Sequence, residues 1–225
     1  MTCAIRTKAV TKEYQVGEHR VQAVREVDFA AQLGEFLCIS GRSGSGKSTL
    51  LNLLAGLERP TSGEISLLGK RIETMSETAR IRFRRGHVGF VFQSYNLLPQ
   101  YSAVENVALP LTLCGIPARE CNRAAMEMLE MVGLADHAAH KPSELSGGQQ
   151  QRAGIARAII TKPDIVFADE PTGNLDTKTG EEVMQLLIRI FREWGTTFLL
   201  VTHDTEMRRY TDREIVMLDG QIQHQ

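Results

Sequence analysis

The chain has 225 residues, 42% hydrophobic and 24% charged, which suits one large globular domain and excludes a disordered chain. Its 26 basic and 27 acidic residues leave a formal net charge of -1, so no basic field speaks for nucleic-acid binding. The cysteines Cys3, Cys38, Cys114 and Cys121 form no C-x-x-C pair, no apolar run reaches the about 18 residues of a membrane span, and no apolar segment backs Arg6, Lys8 and Lys12. These features predict reduced thiols, no membrane span and no signal peptide.

The first third reads as strand-rich. Ile5 to Val10 and Val21 to Phe29 alternate apolar and polar residues around a turn at Gly17-Glu18-His19. Glu35 to Ser40 is a short apolar run between glycines, as a buried strand requires. A glycine-rich loop and a leucine-rich helix, Ser48 to Leu57, follow it. Pro60 to Gly63 reads as a turn, and Glu64 to Leu68 and His87 to Phe92 as strands. Val104 to Val132 is helical, with Met126, Leu129 and Val132 on helical spacing, and a further helix is predicted over Gly147 to Thr161. Alternation then resumes with a strand at Ile165 to Asp169, a helix at Thr179 to Trp194 and a strand at Thr197 to Thr202. Glu214 to Leu218 and Gln221 to Gln223 form a closing hairpin around Asp219-Gly220. Such alternation predicts a parallel sheet with helices on its faces, and the central helical block reads as an insertion.

Gly41 to Ser48 spells GRSGSGKS, which fits the phosphate-loop pattern between a predicted strand and a predicted helix. Gly41, Gly44 and Gly46 free the backbone to take positive φ and approach a phosphate without a Cβ. Turned amides around Arg42, Ser43 and Ser45 make a nest of donors, and the helix starting near Lys47 and Thr49 adds the positive end of its dipole. Lys47 is expected to reach the β- and γ-phosphates and the Ser48 hydroxyl to ligate Mg²⁺. Further on, the apolar run Ile165 to Ala168 delivers Asp169 and Glu170, the first suited to Mg²⁺ and the second to polarising an attacking water. Adjacent strand residues face opposite ways, so the pair can serve both roles only if the strand ends there, and Pro171 supplies that end. Alone, this acidic pair would equally fit a solvated turn.

Leu145-Ser146-Gly147-Gly148-Gln149 resembles the signature of ABC ATPases. Around it, Gln93 is similar to the family's Q-loop glutamine, His203 to its switch histidine, Gly173-Asn174-Leu175-Asp176 to its D-loop and Tyr14 to its adenine-stacking aromatic residue. The resemblance spans Tyr14 to about Gly220. It implies an α/β fold: a P-loop NTPase (RecA-like) core with a mostly parallel sheet, an N-terminal antiparallel β subdomain and an inserted helical subdomain. Residues 1–225 would form one ATP-binding domain, with the insertion over about 94–160.

It implies ATP hydrolysis with Mg²⁺ in a homodimer that shares two ATP sites. Lys47, Glu170 and His203 would be catalytic, and Ser48, Gln93 and Asp169 would hold the metal. Tyr14, the loop from Gly41 to Thr49, Gln93 and His203 would bind nucleotide in one subunit, while Ser146, Gly147, Gly148 and Gln149 would reach the γ-phosphate of the other.

The pattern Val91-Phe92-Gln93, Asn96-Leu97-Leu98-Pro99, Glu105-Asn106-Val107 and Leu109-Pro110-Leu111 resembles the branch that serves lipoprotein release, macrolide export, cell division and peptide-antibiotic resistance. The insertion Gln15 to Gln22 is similar to that branch. Arg42 departs from the proline often found there, with no role assigned. These likenesses imply a subunit on the cytoplasmic side of the cell membrane, attached to a separate permease. The segment from Tyr95 to Asn106 is apolar for a loop, with Leu97, Leu98, Pro99 and Tyr101, and is expected either to dock that permease or to pack inside the helical subdomain. An ATPase that regulates a cell-wall machine without moving a substrate stays open. One phosphate loop and no heptad insertion argue against a DNA-repair or translation factor.

Overall fold

The computed structural model describes residues 3–224. In chain order its elements are β1 (Cys3–Val16), β2 (His19–Val27), β3 (Ala30–Gln32), β4 (Phe36–Ser40), α1 (Lys47–Leu54), β5 (Ser62–Leu67), β6 (Lys70–Arg71), α2 (Glu77–His87), β7 (Val88–Val91), α3 (Ala103–Leu113) and α4 (Ala118–Met131). There follow α5 (Gly147–Ile159), β8 (Ile165–Asp169), α6 (Thr177–Trp194), β9 (Thr197–Thr202), β10 (Arg213–Leu218) and β11 (Gln221–His224). They form two compact units, one of residues 1–84 with 195–225 and one of residues 85–194.

The first unit holds an antiparallel sheet and a largely parallel one. In the antiparallel sheet β1 pairs with β2, β3 and β5, and β5 with β6. In the other, β10 and β9 flank β4 in parallel, and β11 closes antiparallel on β10. Every residue of β4 and β9 is buried, as their continuous apolar runs require. The α1 leucines Leu50, Leu51, Leu53 and Leu54 are wholly buried, each worth about 1.5–3 kcal/mol.

The second unit pairs β7 and β8 in parallel and adds α3 to α6. Helix α3 starts on a capping box, where the Ser102 and Glu105 side chains each satisfy the other's backbone N–H. Helix α6 buries Val183, Met184, Leu187, Ile190 and Phe191, a stripe three or four residues apart.

An α/β fold with an antiparallel sheet and a helical subdomain is what the sequence leads one to expect. Several boundaries differ. β1 continues past Val10 to Val16, through a left-handed Ala9 (φ 47°) and a register shift against β2 that breaks the alternation. The single helix expected over Val104 to Val132 is two, parted where Gly115 takes φ 79° and Pro117 stands ahead of α4. Leu129 and Val132 are core residues, but Met126 is exposed. The short strands β3 and β6 and the arginine-rich α2 carry too little apolar periodicity to be read.

Candidate functional site

In the first unit, the strands deliver two expected residues at the same level. Ser40 of β4 pairs with Thr202 of β9, so Gly41 and His203 leave neighbouring parallel strands at their carboxyl ends, where such sheets place ligands. Gly41 (φ 153°) and Gly46 (φ 96°) are fixed by close approach as well as by φ: a Cβ on Gly41 would strike the Met217 carbonyl, and one on Gly46 the Ala23 carbonyl. Arg42, Ser43 and Gly44 are exposed, while Ser45 is buried.

This loop has the polarity of an anion cradle. Helix α1 begins with no side-chain cap and no acid in its first turn, which leaves the dipole end to whatever binds. The Ser45 hydroxyl is buried with no hydrogen-bond partner among the described residues. Lys47 is only 6% exposed, and its ammonium donates to the carbonyls of Gly41 (2.8 Å) and Arg42 (2.9 Å), so the charge sits over its own loop. Ser48 is exposed and Thr49 half-buried. A phosphate suits this donor set, in which a cation and a helix end converge.

Tyr14 in β1 is half-buried, and its hydroxyl donates to Glu58 (2.8 Å) and also meets Thr49. Burial, and then Glu58, push its pKa up, so it stays a neutral donor. The Lys12 ammonium lies 5.0 Å from the ring centroid and 3.2 Å from Glu58, which covers one face of the ring.

The second unit repeats the delivery. Val91 of β7 pairs with Ala168 of β8, so Gln93 and Glu170 each stand two residues beyond paired positions. Strand β8 ends at Asp169, and Glu170 takes a left-handed backbone (φ 42°), which turns it away from the strand's alternation. Both carboxylates are half-buried. A Cβ on Gly173 would lie 2.7 Å from Gln93 Nε2 and 3.3 Å from Glu170 Oε2, so the glycine lets these two side chains share its surface.

The pentapeptide is the start of α5. Ser146 caps the helix: its hydroxyl accepts from the Gln149 N–H (3.3 Å), while Gln149 Oε1 accepts from the Ser146 N–H (2.8 Å). The Ser146 hydroxyl keeps its own hydrogen to donate. Gln149 also meets His137 Nε2 at 3.1 Å. The glycines are set by packing, because a Cβ on Gly147 would come within 2.9 Å of the Tyr95 hydroxyl and one on Gly148 would strike Thr179. Asp176 caps α6 through the Thr179 N–H (3.1 Å), and hydrogen bonds with the Thr179 side chain and backbone hold its pKa down.

Thus Tyr14, Gly41 to Thr49 and His203 lie in the first unit, and Gln93, Ser146 to Gln149, Asp169 and Glu170 in the second. Sequence reasoning assigned nothing to Asn174 or Asn106 individually. The Asn174 side chain donates to the Gln93 carbonyl (3.0 Å), and Asn106, wholly buried, binds the backbone of Leu98, Tyr101 and Ser102. An asparagine on a helix face otherwise filled by Ala103 and Val107 was the available signal.

Among the described residues no helix is long and apolar enough to cross a membrane, and no three His, Cys, Asp or Glu side chains group to hold a metal. The sequence model of the family described as ABC transporter matches residues 24–173. The chain is 49% identical over 214 residues to an uncharacterized ABC transporter ATP-binding protein of Thermotoga maritima, covering 95% of this chain and 91% of that one. It is 46% identical over 209 residues to the uncharacterized ABC transporter ATP-binding protein YbbA of Escherichia coli, covering 93% and 92%. The dimeric structure of the ATP-binding cassette MJ0796 in a post-hydrolysis state, bound to ADP and Pi, has a TM-score of 0.92 at 42% identity over 98% of this chain and 97% of that one. With the family matched across two sheets, a phosphate cradle and the signature at the head of α5, this chain belongs to the ABC transporter ATP-binding proteins.

Proposed function

We propose that the chain binds and hydrolyses ATP as a homodimer and so drives a separate membrane permease, with residues 1–225 acting as one ATP-binding domain and the helical insertion over about 94–160. The observation that carries this reading is the turn at Glu170. The residue leaves β8 left-handed, and its carboxylate shares the surface of Gly173 with the Gln93 amide. That arrangement suits a general base beside a residue that orients the attacking water. Glu170 would accept the water's proton as the water oxygen bonds to the γ-phosphorus and the bond to the bridging oxygen of ADP breaks. Lys47 and the amides from Gly41 to Thr49 would hold the phosphates, His203 would fix the γ-phosphate, and the open face of Tyr14 would take the adenine. Ser48, Gln93 and Asp169 are the residues that would hold Mg²⁺, whose chemistry is to neutralise charge on the phosphate oxygens.

The signature residues Ser146 to Gln149 would contact the nucleotide of the second subunit, consistent with the dimeric state of the cassette MJ0796. Binding then closes the dimer and hydrolysis opens it. The permease would keep the subunit at the inner face of the membrane. Its docking site would be a groove of about 570 Å³ beside α3, lined by Tyr101, Val104, Glu105, Ala108 and Cys121. The branch pattern through Gln93, Asn96 to Pro99 and Glu105 to Val107 supports an exporter or mechanotransmission type.

Glu170→Gln tests the central claim. The variant is expected to bind ATP, accumulate as a closed dimer and lose about 10²- to 10⁴-fold in rate. Hydrolysis at the parental rate would remove Glu170 from its role. For the groove, Tyr101→Asp is expected to abolish co-purification with the permease while ATP binding is retained; undiminished co-purification would exclude that surface.

A further inference from the structure

Helix α5 carries a polar side chain within its buried stripe. Gly148, Gln151, Ile155 and Ile159 follow three or four residues apart and all are buried. Gln151 is 0% exposed, so its amide must be there for a reason other than solvation. It is used from one end only. Nε2 donates to the Pro171 carbonyl at 2.6 Å and to the Phe92 carbonyl at 3.4 Å, while Oε1 is buried with no partner among the described residues. Phe92 immediately precedes Gln93, and Pro171 immediately follows Glu170. One donor group therefore ties together the backbones that carry both residues.

A second side chain of α5 grips the far side of the same loop. The Arg157 guanidinium donates to the carbonyls of Asn96 (2.6 Å) and Tyr95 (2.9 Å), whose backbones are both left-handed, at φ 48° and 60°. The carbonyls between are also occupied: Gln93 by Asn174 at 3.0 Å, and Ser94 by the Asn96 N–H at 2.6 Å. Every carbonyl from Phe92 to Asn96 thus accepts a hydrogen bond, and two consecutive non-glycine residues are kept in a strained conformation.

We propose that Gln151 is a positioning residue for hydrolysis, whose amide sets Gln93 against Glu170 by holding Phe92 and Pro171 to the signature helix, with Arg157 as the second clasp. This rests on Glu170 being the base. Gln151 lies five residues after Ser146, or about 7.5 Å along the helix axis. A pull on the Ser146 cap by the second subunit's nucleotide would therefore reach the base of Ser146's own subunit. A glutamate could not serve, because it has no hydrogen to give two carbonyls.

Gln151→Met tests this, since methionine matches the length, lacks the donor and also removes the unpaired oxygen. Full-length native and variant proteins are compared for melting, ATP affinity, kcat and amide hydrogen exchange. The expected result is native-like melting, affinity within about twofold and kcat lower by about 10²-fold. The amides of residues 93–96 and 172–175 should also exchange faster together. Unchanged kcat or unchanged exchange in the folded variant would overturn the proposal, as would equal losses in melting, affinity and rate, which mark a purely structural role. Gln151→Glu should repeat the methionine result, and a native rate there would equally overturn it. Native protein that does not hydrolyse ATP would overturn the ATPase reading instead, leaving the exchange comparison to judge Gln151.

Discussion

Asn106 holds the loop that the permease is proposed to meet, and its replacement by leucine has a cost that can be worked from the bonds it makes. Oδ1 accepts from the Leu98 N–H at 2.7 Å, and Nδ2 donates to the carbonyls of Leu98 (3.1 Å), Tyr101 (3.1 Å) and Ser102 (3.0 Å). Two of these carbonyls have second donors, because Leu98 O also accepts from the Tyr101 N–H (3.2 Å) and Ser102 O from the Asn106 N–H (2.9 Å). The groups that Asn106→Leu strands are therefore the Leu98 N–H and the Tyr101 carbonyl. Leucine nearly conserves volume, so no large cavity term enters. An unsatisfied Leu98 N–H, on a half-buried residue, is expected to cost about 1–2 kcal/mol and the Tyr101 carbonyl, beside an exposed side chain, about 1 kcal/mol, so about 2–3 kcal/mol in all. For a chain of this size that lowers the melting midpoint by about 4–12 °C. Urea unfolding followed by the single tryptophan, Trp194, measures the free energy directly, with an unchanged m-value as the control. A loss below about 1 kcal/mol would refute the accounting, because it would mean the loop finds other partners.

Gly46→Ala should abolish nucleotide binding, because its Cβ would meet the fixed Ala23 carbonyl at φ 96°; calorimetric titration with ATP checks this, and binding within about threefold of native would be the failing result. The Glu105 carboxylate is held below its usual range by the backbone and then the side chain of Ser102, so its folded pKa is depressed. Its contribution to stability is therefore present above the ordinary value of 4.5 and is lost as pH falls through the folded pKa. Glu105→Gln keeps the capping geometry without the charge, so the stability gap between native and variant should narrow from pH 7 towards acid; a gap constant with pH would contradict this. Asp176, depressed by its bonds to Thr179, adds a loss of the same sign below its ordinary 3.8.

The chemistry was legible in the chain because it sits in short contiguous runs. Gly41 to Thr49 and Asp169 with Glu170 stand out as candidates by residue type and spacing, because each needs only local backbone conformation to present donors or carboxylates, whereas Ser146 to Gln149 stand out by their resemblance to the family's signature. The buried strands β4, β8 and β9 were equally plain, since continuous apolar runs need no partner to be recognised. What the tertiary structure alone decided is where single polar side chains are spent. Gln151, Arg157, Asn106 and Asn174 bind carbonyls 4 to 81 residues away in sequence, and apolar periodicity records no such partner. Helix α2 was hidden for a related reason. Its Arg84 finds the Gly56 carbonyl, 28 residues away, only in the fold, and a segment that looks solvated buries both Arg80 and Phe83. Apolar periodicity reports what must leave water, whereas the direction of a hydrogen bond is set by whichever backbone the folded chain brings within reach.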